Sequence, residues 1–322
     1  MTPPIPPRLS RRGAPVVLVN AALATTLLAV TASGDSVRVP AQARGTEVTV
    51  HTEDPAPEVR EGIRRAHTGQ PVPPERRPAR TPGPDAELAA ALAPLTAAHG
   101  VRLSVAVFEP GTGRSAGFGS GTFDTASIVK VNVLAVLLLQ AQDAGRELTD
   151  QEKEHASAAI RFSDNDATHE LWAAIGGEHG FDAGNARLGL TSTRGGPDGH
   201  WGLTQTTTDD QITLLRAVFG TDSALDPASR AILRALMSEV AEDQRWGVSA
   251  ASDGPVALKN GWLPRSHTEL WDVNSIGRVT VAGRTYLLAV ISDGHSTHAE
   301  GVAAVEEAAR AAVAVIRSGS AV

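Results

Sequence analysis

The sequence predicts an α+β fold: an antiparallel five-stranded sheet flanked by helices, with an all-α lobe inserted between its strands. Three observations lead there. Two strand-like segments, "VRLSVAVFE" and "RSAGFG", precede a long helical stretch, and three more follow it: "GPVALKNGW", "TELWDVNSIGRVTVA" and "RTYLLAVISDG". Between them, residues 126–251 read almost entirely as helices and loops. That middle stretch opens with "SIVKVNVLAVLLLQ", apolar at nearly every position from Ile128 to Leu139, the pattern of a helix buried on most of its circumference. Strands from both ends must then meet in one sheet, which leaves a cleft between sheet and lobe.

The chain has 322 residues, of which 42% are hydrophobic, enough for one or two domains with real cores. Its net charge of -7 gives no basic face for nucleic acid or for a membrane surface. With no cysteine, disulfides, thiolate catalysis and cysteine metal sites are excluded. Of 29 basic residues only Lys130, Lys153 and Lys259 are lysine. A GC-rich coding bias explains the background of arginine. It also makes each lysine informative, because a buried lysine can become a neutral amine and an arginine cannot.

Taken in order, residues 1–33 carry Arg8, Arg11 and Arg12, then "APVVLVNAALATTLLAVTA", with small residues before a cleavage point after Ala32. This is the pattern of a secretory signal, with an uncleaved N-terminal anchor as the alternative. "SRR" at Ser10 to Arg12 faintly suggests twin-arginine export, and no cysteine follows to carry a lipid. Residues 34–84 are rich in Pro and Arg without hydrophobic periodicity, so they read as a disordered linker. A domain is expected over 85–322, with its α/β part at 85–125 and 252–322 and its helical part at 126–251. Its helices are "DAELAAALAPLTAAHG", closed by Gly100, then the apolar helix, "DQEKEHASAAIRFS", "DATHELWAAIGG", "TDDQITLLRAVF", "DPASRAILRALMSEV" and a closing amphipathic "AEGVAAVEEAARAAVAVIR". "PGTG" turns the first strand into the second, and the last two strands meet near Gly283.

Three short motifs carry chemistry. Ser127 and Lys130 lie three apart at the start of the apolar helix and so share a face. A serine hydroxyl needs a base to become a nucleophile. A lysine among Val131, Val133 and Leu134 is poorly hydrated, and burial disfavours its charged form. "SDN", Ser163 to Asn165, sits at a junction of two helices, where the plain reading is a cap. "KNG", Lys259 to Gly261, ends a predicted strand and could equally be a strand running into a turn. A lysine there could meet a substrate carboxylate, and the glycine would let substrate pass close to the backbone.

In this order, S-x-x-K, S-D-N and K-x-G resemble the motif set of the serine β-lactamase and penicillin-binding protein superfamily, in its class A form, from about Asp85 onward. The surroundings "FDTASIVKVNVL", "IRFSDNDATHEL", "LGLTST" leading to "TTTDDQITLLRAV", and "ALKNGW" carry the same likeness. The resemblance implies the β-lactamase/transpeptidase-like fold. It implies Ser127 as acylated nucleophile, Lys130 as its base and Ser163 as proton relay to the leaving nitrogen. Asn165 would hold the substrate's side-chain amide, and Lys259 would bind its carboxylate and tune Ser163. Asn260, Gly261 and Trp262 would complete the substrate edge, with the backbone N–H groups of Ser127 and Trp262 as oxyanion hole. Asp164 is expected to be structural.

Two departures stand out. Asn260 occupies a position usually held by Thr or Ser, although its amide could still donate to a carboxylate. Class A enzymes also carry a glutamate in an E-x-x-L-N loop, whereas "TRGGPDGHWGLTQ" here has only Asp198 as acid, with His200 nearby. Acylation is therefore expected and deacylation is expected to be slow. His295 and His298 with Asp293 lack a third ligand at metal spacing, so neither a metal nor a cofactor is expected. The five tryptophans are expected to pack, with Trp262 bordering the cleft. The function implied is an exported serine hydrolase acting on β-lactams or D-Ala-D-Ala-like cell-wall stem peptides. The alternative is a non-catalytic module that binds cell-wall peptides. A monomer is expected, secreted or held at the cell envelope, with no nucleic-acid partner and membrane contact only through the N-terminal anchor.

Overall fold

The computed structural model describes residues 83–97 and 101–319. The signal or anchor expected at 1–33, and the linker at 34–84 apart from Gly83 and Pro84, lie outside the described residues.

The first helix, α1 (Pro84–Thr96), begins at a proline, whose fixed φ and missing N–H suit a first helical position. Then come β1 (Arg102–Glu109), β2 (Arg114–Phe118) and β3 (Phe123–Asp124). A 3₁₀ turn at Ala126–Ile128 runs directly into α2 (Val129–Asp143). The lobe continues with α3 (Asp150–Arg161), α4 (Asn165–Ala174), α5 (Gly177–Leu188), a two-residue β4 (Gln205–Thr206), α6 (Thr208–Phe219) and α7 (Pro227–Ser238). The chain closes with β5 (Ala257–Pro264), β6 (Trp271–Val281), β7 (Arg284–His295) and α8 (His298–Ser318).

One antiparallel sheet has the order β2-β1-β7-β6-β5, so strands from both ends of the domain pair at β1 and β7. The β6–β7 hairpin turns through Ala282 (φ 48°) and Gly283 (φ 75°), the two positive φ values that a two-residue type I′ turn requires. Successive residues of a strand face opposite sides. Leu287, Ala289 and Ile291 of β7 pack into the core of the helical lobe, while Tyr286, Leu288 and Val290 pack with residues of α1 and α8. Both faces of the sheet are thus covered by helices.

Twelve of the fifteen residues of α2 are buried, including Lys130. It is the lobe's axis, packed by α3, α4, α5 and α7. The sequence did not reveal α5, "GEHGFDAGNARL", because its three glycines lower helix propensity. Tertiary packing explains them. A Cβ on Gly184 would lie about 2.6 Å from Val136 Cγ1 on α2, so only glycine lets the two helices approach this closely. Gly184→Ala is expected to destabilise the protein by roughly 1–3 kcal/mol through overpacking. A urea midpoint equal to wild type would show that the α2–α5 contact is looser than described.

Candidate active site

Several elements converge on Ser127. The preceding residue, Ala126, is buried with φ 47°, a left-handed backbone that side chains other than glycine tolerate only under constraint. The constraint comes from both sides. Thr125 N–H donates to Thr204 O (2.8 Å), beside the β3–β4 ribbon. On β6, Asn274 Nδ2 donates to Asp124 O (2.9 Å) and to Thr125 O (3.0 Å). From β5, Gly261 abuts the turn so closely that a Cβ would lie 2.6 Å from Ser127 N and 2.8 Å from Ile128 N. The 3₁₀ turn runs straight into α2, so Ser127 and Lys130 stand three residues apart across that junction, with no hydrogen bond between them among the described residues. Among the described residues the Ser127 hydroxyl accepts and donates no hydrogen bond, and catalytic contacts often tighten only in the reacting complex.

Lys130 is almost fully buried, and its Nζ faces Ser163 O (2.6 Å), Asn165 Oδ1 (2.8 Å) and Ser163 Oγ (3.2 Å). Burial pushes its amine down to about 7, with the Asp164 charge pulling the other way. A neutral amine keeps two N–H donors and gains a lone pair. The two shorter contacts account for the donors, which leaves the lone pair for a hydroxyl. Ser163 also has a left-handed backbone, φ 58°. Asp164 caps α4 by accepting from Ala167 N (2.7 Å), which places Asn165 and Ser163 over the lysine.

Lys259 on β5 is completely buried, and its Nζ donates to Asn260 O (2.8 Å) and Ser163 Oγ (3.0 Å). Burial holds it well below the usual lysine range, and the nearby Lys130 pushes it the same way. The Ser163 hydroxyl therefore lies between two amines.

Asn260 does not join this group. Its side chain is completely buried; Nδ2 donates to Gln244 O (2.8 Å) and Trp246 O (3.0 Å), and Oδ1 accepts from Ser275 Oγ (2.6 Å). Both amide hydrogens are spent, so no donor remains for a substrate carboxylate. The expectation is corrected for a simple reason. Asn260 has the strand parity of Leu258, which packs on the α1/α8 side, whereas Lys259 has the parity of Ala257, which packs on the lobe. The asparagine instead ties the segment from Gln244 to Trp246 beneath β5.

A cleft of 510 Å³ opens over Ser127, lined also by Asn165, His169, His200, Trp201 and Trp262. A larger cavity of 680 Å³, between β1–β2 and α6, contains none of the motif residues. Asp198 and His200 line the cleft but are exposed, and His200 Nδ1 contacts Pro197 O at 3.1 Å. The indole of Trp262 packs with Trp246 and His298, at 6.0 and 5.4 Å between ring centroids. His295 is buried against Ser292 Oγ (2.8 Å). Two cleft residues were not singled out in the sequence: His169 went unnamed, and Trp201 was expected only to pack. His169 stands one turn beyond Asn165 on α4, an i, i+4 relation that could have revealed it. Trp201 packs on Lys130, with Nζ 4.9 Å from its ring centroid, a contact between residues 71 positions apart that leaves no local signal.

The chain matches the model of the "Beta-lactamase enzyme family" over residues 151–316, a span containing Ser163, Lys259 and the loop between them. It is 31% identical over 182 residues to "Putative lipoprotein LppW" of Mycobacterium tuberculosis and of Mycobacterium bovis, covering 52% of this chain and 56% of those proteins. The chain thus spans little more than half the length of these curated relatives. A variant of the class A β-lactamase of the last common ancestor of Gram-negative bacteria aligns at 26% identity and TM-score 0.62, over 72% of this chain and 99% of that one. A class A β-lactamase from Bacteroides cellulosilyticus shares the fold at TM-score 0.65 and 16% identity, over 74% of this chain and 100% of that one. The family match covers more than half of the residues, and the class A fold spans the described sheet and lobe, so this chain belongs to the β-lactamase enzyme family.

Proposed function

We propose that this chain is an exported serine hydrolase that forms an acyl-enzyme at Ser127 with β-lactams or D-Ala-D-Ala-like peptides and releases it slowly. The observation that carries this reading is the seat of Ser163 Oγ between two buried amines, 3.2 Å from Lys130 Nζ and 3.0 Å from Lys259 Nζ. Such an array can take a proton at one end and deliver it at the other. Lys130 accepts the Ser127 hydroxyl proton as Oγ attacks the carbonyl carbon. The carbonyl electrons move onto oxygen, where the backbone N–H groups of Ser127 and Trp262 stabilise them. Collapse restores the carbonyl and breaks the C–N bond. The proton passes from Lys130 through Ser163 to the departing nitrogen. Asn165 holds the acyl side chain's amide, and Lys259 tunes Ser163.

Hydrolysis of the ester then needs a water and a base to activate it. Asp198 and His200 are the loop's candidates. Neither hydrogen-bonds to Ser127, Lys130 or Ser163 among the described residues. Residues 1–33 serve in this reading as export signal or anchor and 34–84 as tether, and the lipoprotein name of the mycobacterial relatives supports an envelope location.

Intact mass after excess penicillin, with free ligand removed, is expected to show a single adduct on Ser127 that survives for many minutes. Ser127→Ala abolishes it. Rapid turnover without a trapped adduct would refute slow release. Neither adduct nor turnover would leave the chain a non-catalytic module that binds cell-wall peptides.

A further inference from the structure

We infer that Trp201 sets the lifetime of the acyl-enzyme, its indole acting as a fixed apolar shield that keeps the hydrolytic water away from Lys130. This rests on the acyl-enzyme reading above and names the residue responsible for slow release. The ring is 8% exposed, and its centroid lies 4.9 Å from Lys130 Nζ. It is held at more than one point. Nε1–H donates to His169 Nδ1 (3.2 Å), and the two rings meet edge to face at 5.6 Å. The backbone is held as well. Trp201 O accepts from Thr204 N (3.1 Å), and Thr204 O in turn accepts from Thr125 N, two residues before the nucleophile. The next residue, Gly202, stands with its Cβ position 4.0 Å from Ala126 Cα. The Trp201 segment is therefore hydrogen-bonded to the turn that carries Ser127.

The chemistry follows from what surrounds the amine. Lys130, with its two donors spent on Ser163 O and Asn165 Oδ1, keeps a lone pair that can activate water. A water that attacks the ester must stand beside both the ester carbon and this amine. The indole covers part of that approach with a surface that offers no acceptor. His169 cannot substitute as base through Nδ1, because that lone pair receives the indole proton. Acylation needs no water, so the shield acts on the second half-reaction.

The test is a comparison of adduct lifetimes. Wild type, Trp201→Ala and Trp201→Phe are acylated with penicillin, freed of ligand and followed by intact mass, with acylation rates measured separately. Replacing the indole by a methyl opens space for water beside polar groups, the condition under which a cavity fills. Trp201→Ala is expected to shorten the adduct lifetime by about tenfold or more, a part of the ~10²–10⁴ that an activated water can gain. Trp201→Phe keeps an apolar ring and is expected to stay within about threefold of wild type. Equal lifetimes for wild type and Trp201→Ala would overturn the inference while leaving the acyl-enzyme intact. A Phe variant as short-lived as the Ala variant would also overturn it, since the ring would then not be the shield. If Trp201→Ala does not fold, His169→Ala serves: His169 is exposed, and its loss frees the indole N–H. An unchanged lifetime in that variant counts against the inference. Absence of any Ser127 adduct in wild type refutes the functional reading itself.

Discussion

Lys130→Arg is expected to lose acylation by about 10²–10⁴-fold, the usual worth of a positioned general base. Arginine keeps the charge and most of the length but holds its proton at any accessible pH. It also presents five donors where Ser163 O, Ser163 Oγ and Asn165 Oδ1 offer three acceptors. The wild-type pH profile gives a second reading of the same group. With its amine at about 7, the neutral fraction of Lys130 rises as pH rises and then saturates. Acylation should climb about tenfold per pH unit well below that value and level off above it. Asp164 raises the Lys130 value, so Asp164→Asn, which keeps a capping side chain, should move the profile toward lower pH. A flat wild-type profile between about pH 5.5 and 8.5, or Lys130→Arg acylating at the wild-type rate, would assign the base elsewhere.

Gly261→Ala is the second large effect. The added Cβ would meet Ser127 N at 2.6 Å, Ile128 N at 2.8 Å and Thr125 O at 2.9 Å, all backbone atoms of the turn that carries Ser127. None can swing aside as a long side chain would. Either β5 retreats from the turn or the turn shifts, and both separate Lys259 from Ser163 or move Ser127. A displacement near 1 Å can cost on the order of 10²-fold in rate, and that loss is expected in acylation. The sheet should survive, because β5 is an edge strand paired only with β6. The measurement is acylation rate per folded molecule, with folding followed by circular dichroism and thermal melting. A less stable protein that still acylates normally would show that the close approach serves packing and not the nucleophile.

The candidate site was legible to different depths at different residues. Ser127 and Lys130 could be placed at the start of one helix from spacing alone, whereas the contacts of Lys130 with Ser163 and Asn165 could not be read locally. Asp164 could be expected to be structural because Asp is a good capping residue at a helix start. Asn260 was misplaced although the information was present: two adjacent strand residues cannot both face the lobe, and Ala257 and Lys259 already did. Trp201 was expected only to pack, and His169 was passed over. One is a tryptophan in a glycine-rich loop and the other a helix residue, and neither pattern is unusual until the loop is folded against α4.

What the sequence determined by itself was most of what repeats within a short window, with α5 the exception. Strand alternation at both ends, the apolar run of α2 and the capping and turn residues follow from local hydrogen bonding and side-chain period. Lys130 and Lys259 also stand out in the sequence, as two of three lysines in a chain that otherwise uses arginine. The tertiary structure decided what depends on residues far apart. It placed β7 between β1 and β6, and it turned Gly184 from a helix breaker into a contact with Val136. It gave the Asn260 amide to Gln244 and Trp246, and it laid the Trp201 ring beside the Lys130 amine. These arrangements share one cause. The free energy of a buried polar group or a close-packed ring depends on partners brought together by chain folding, and no window around the residue contains those partners.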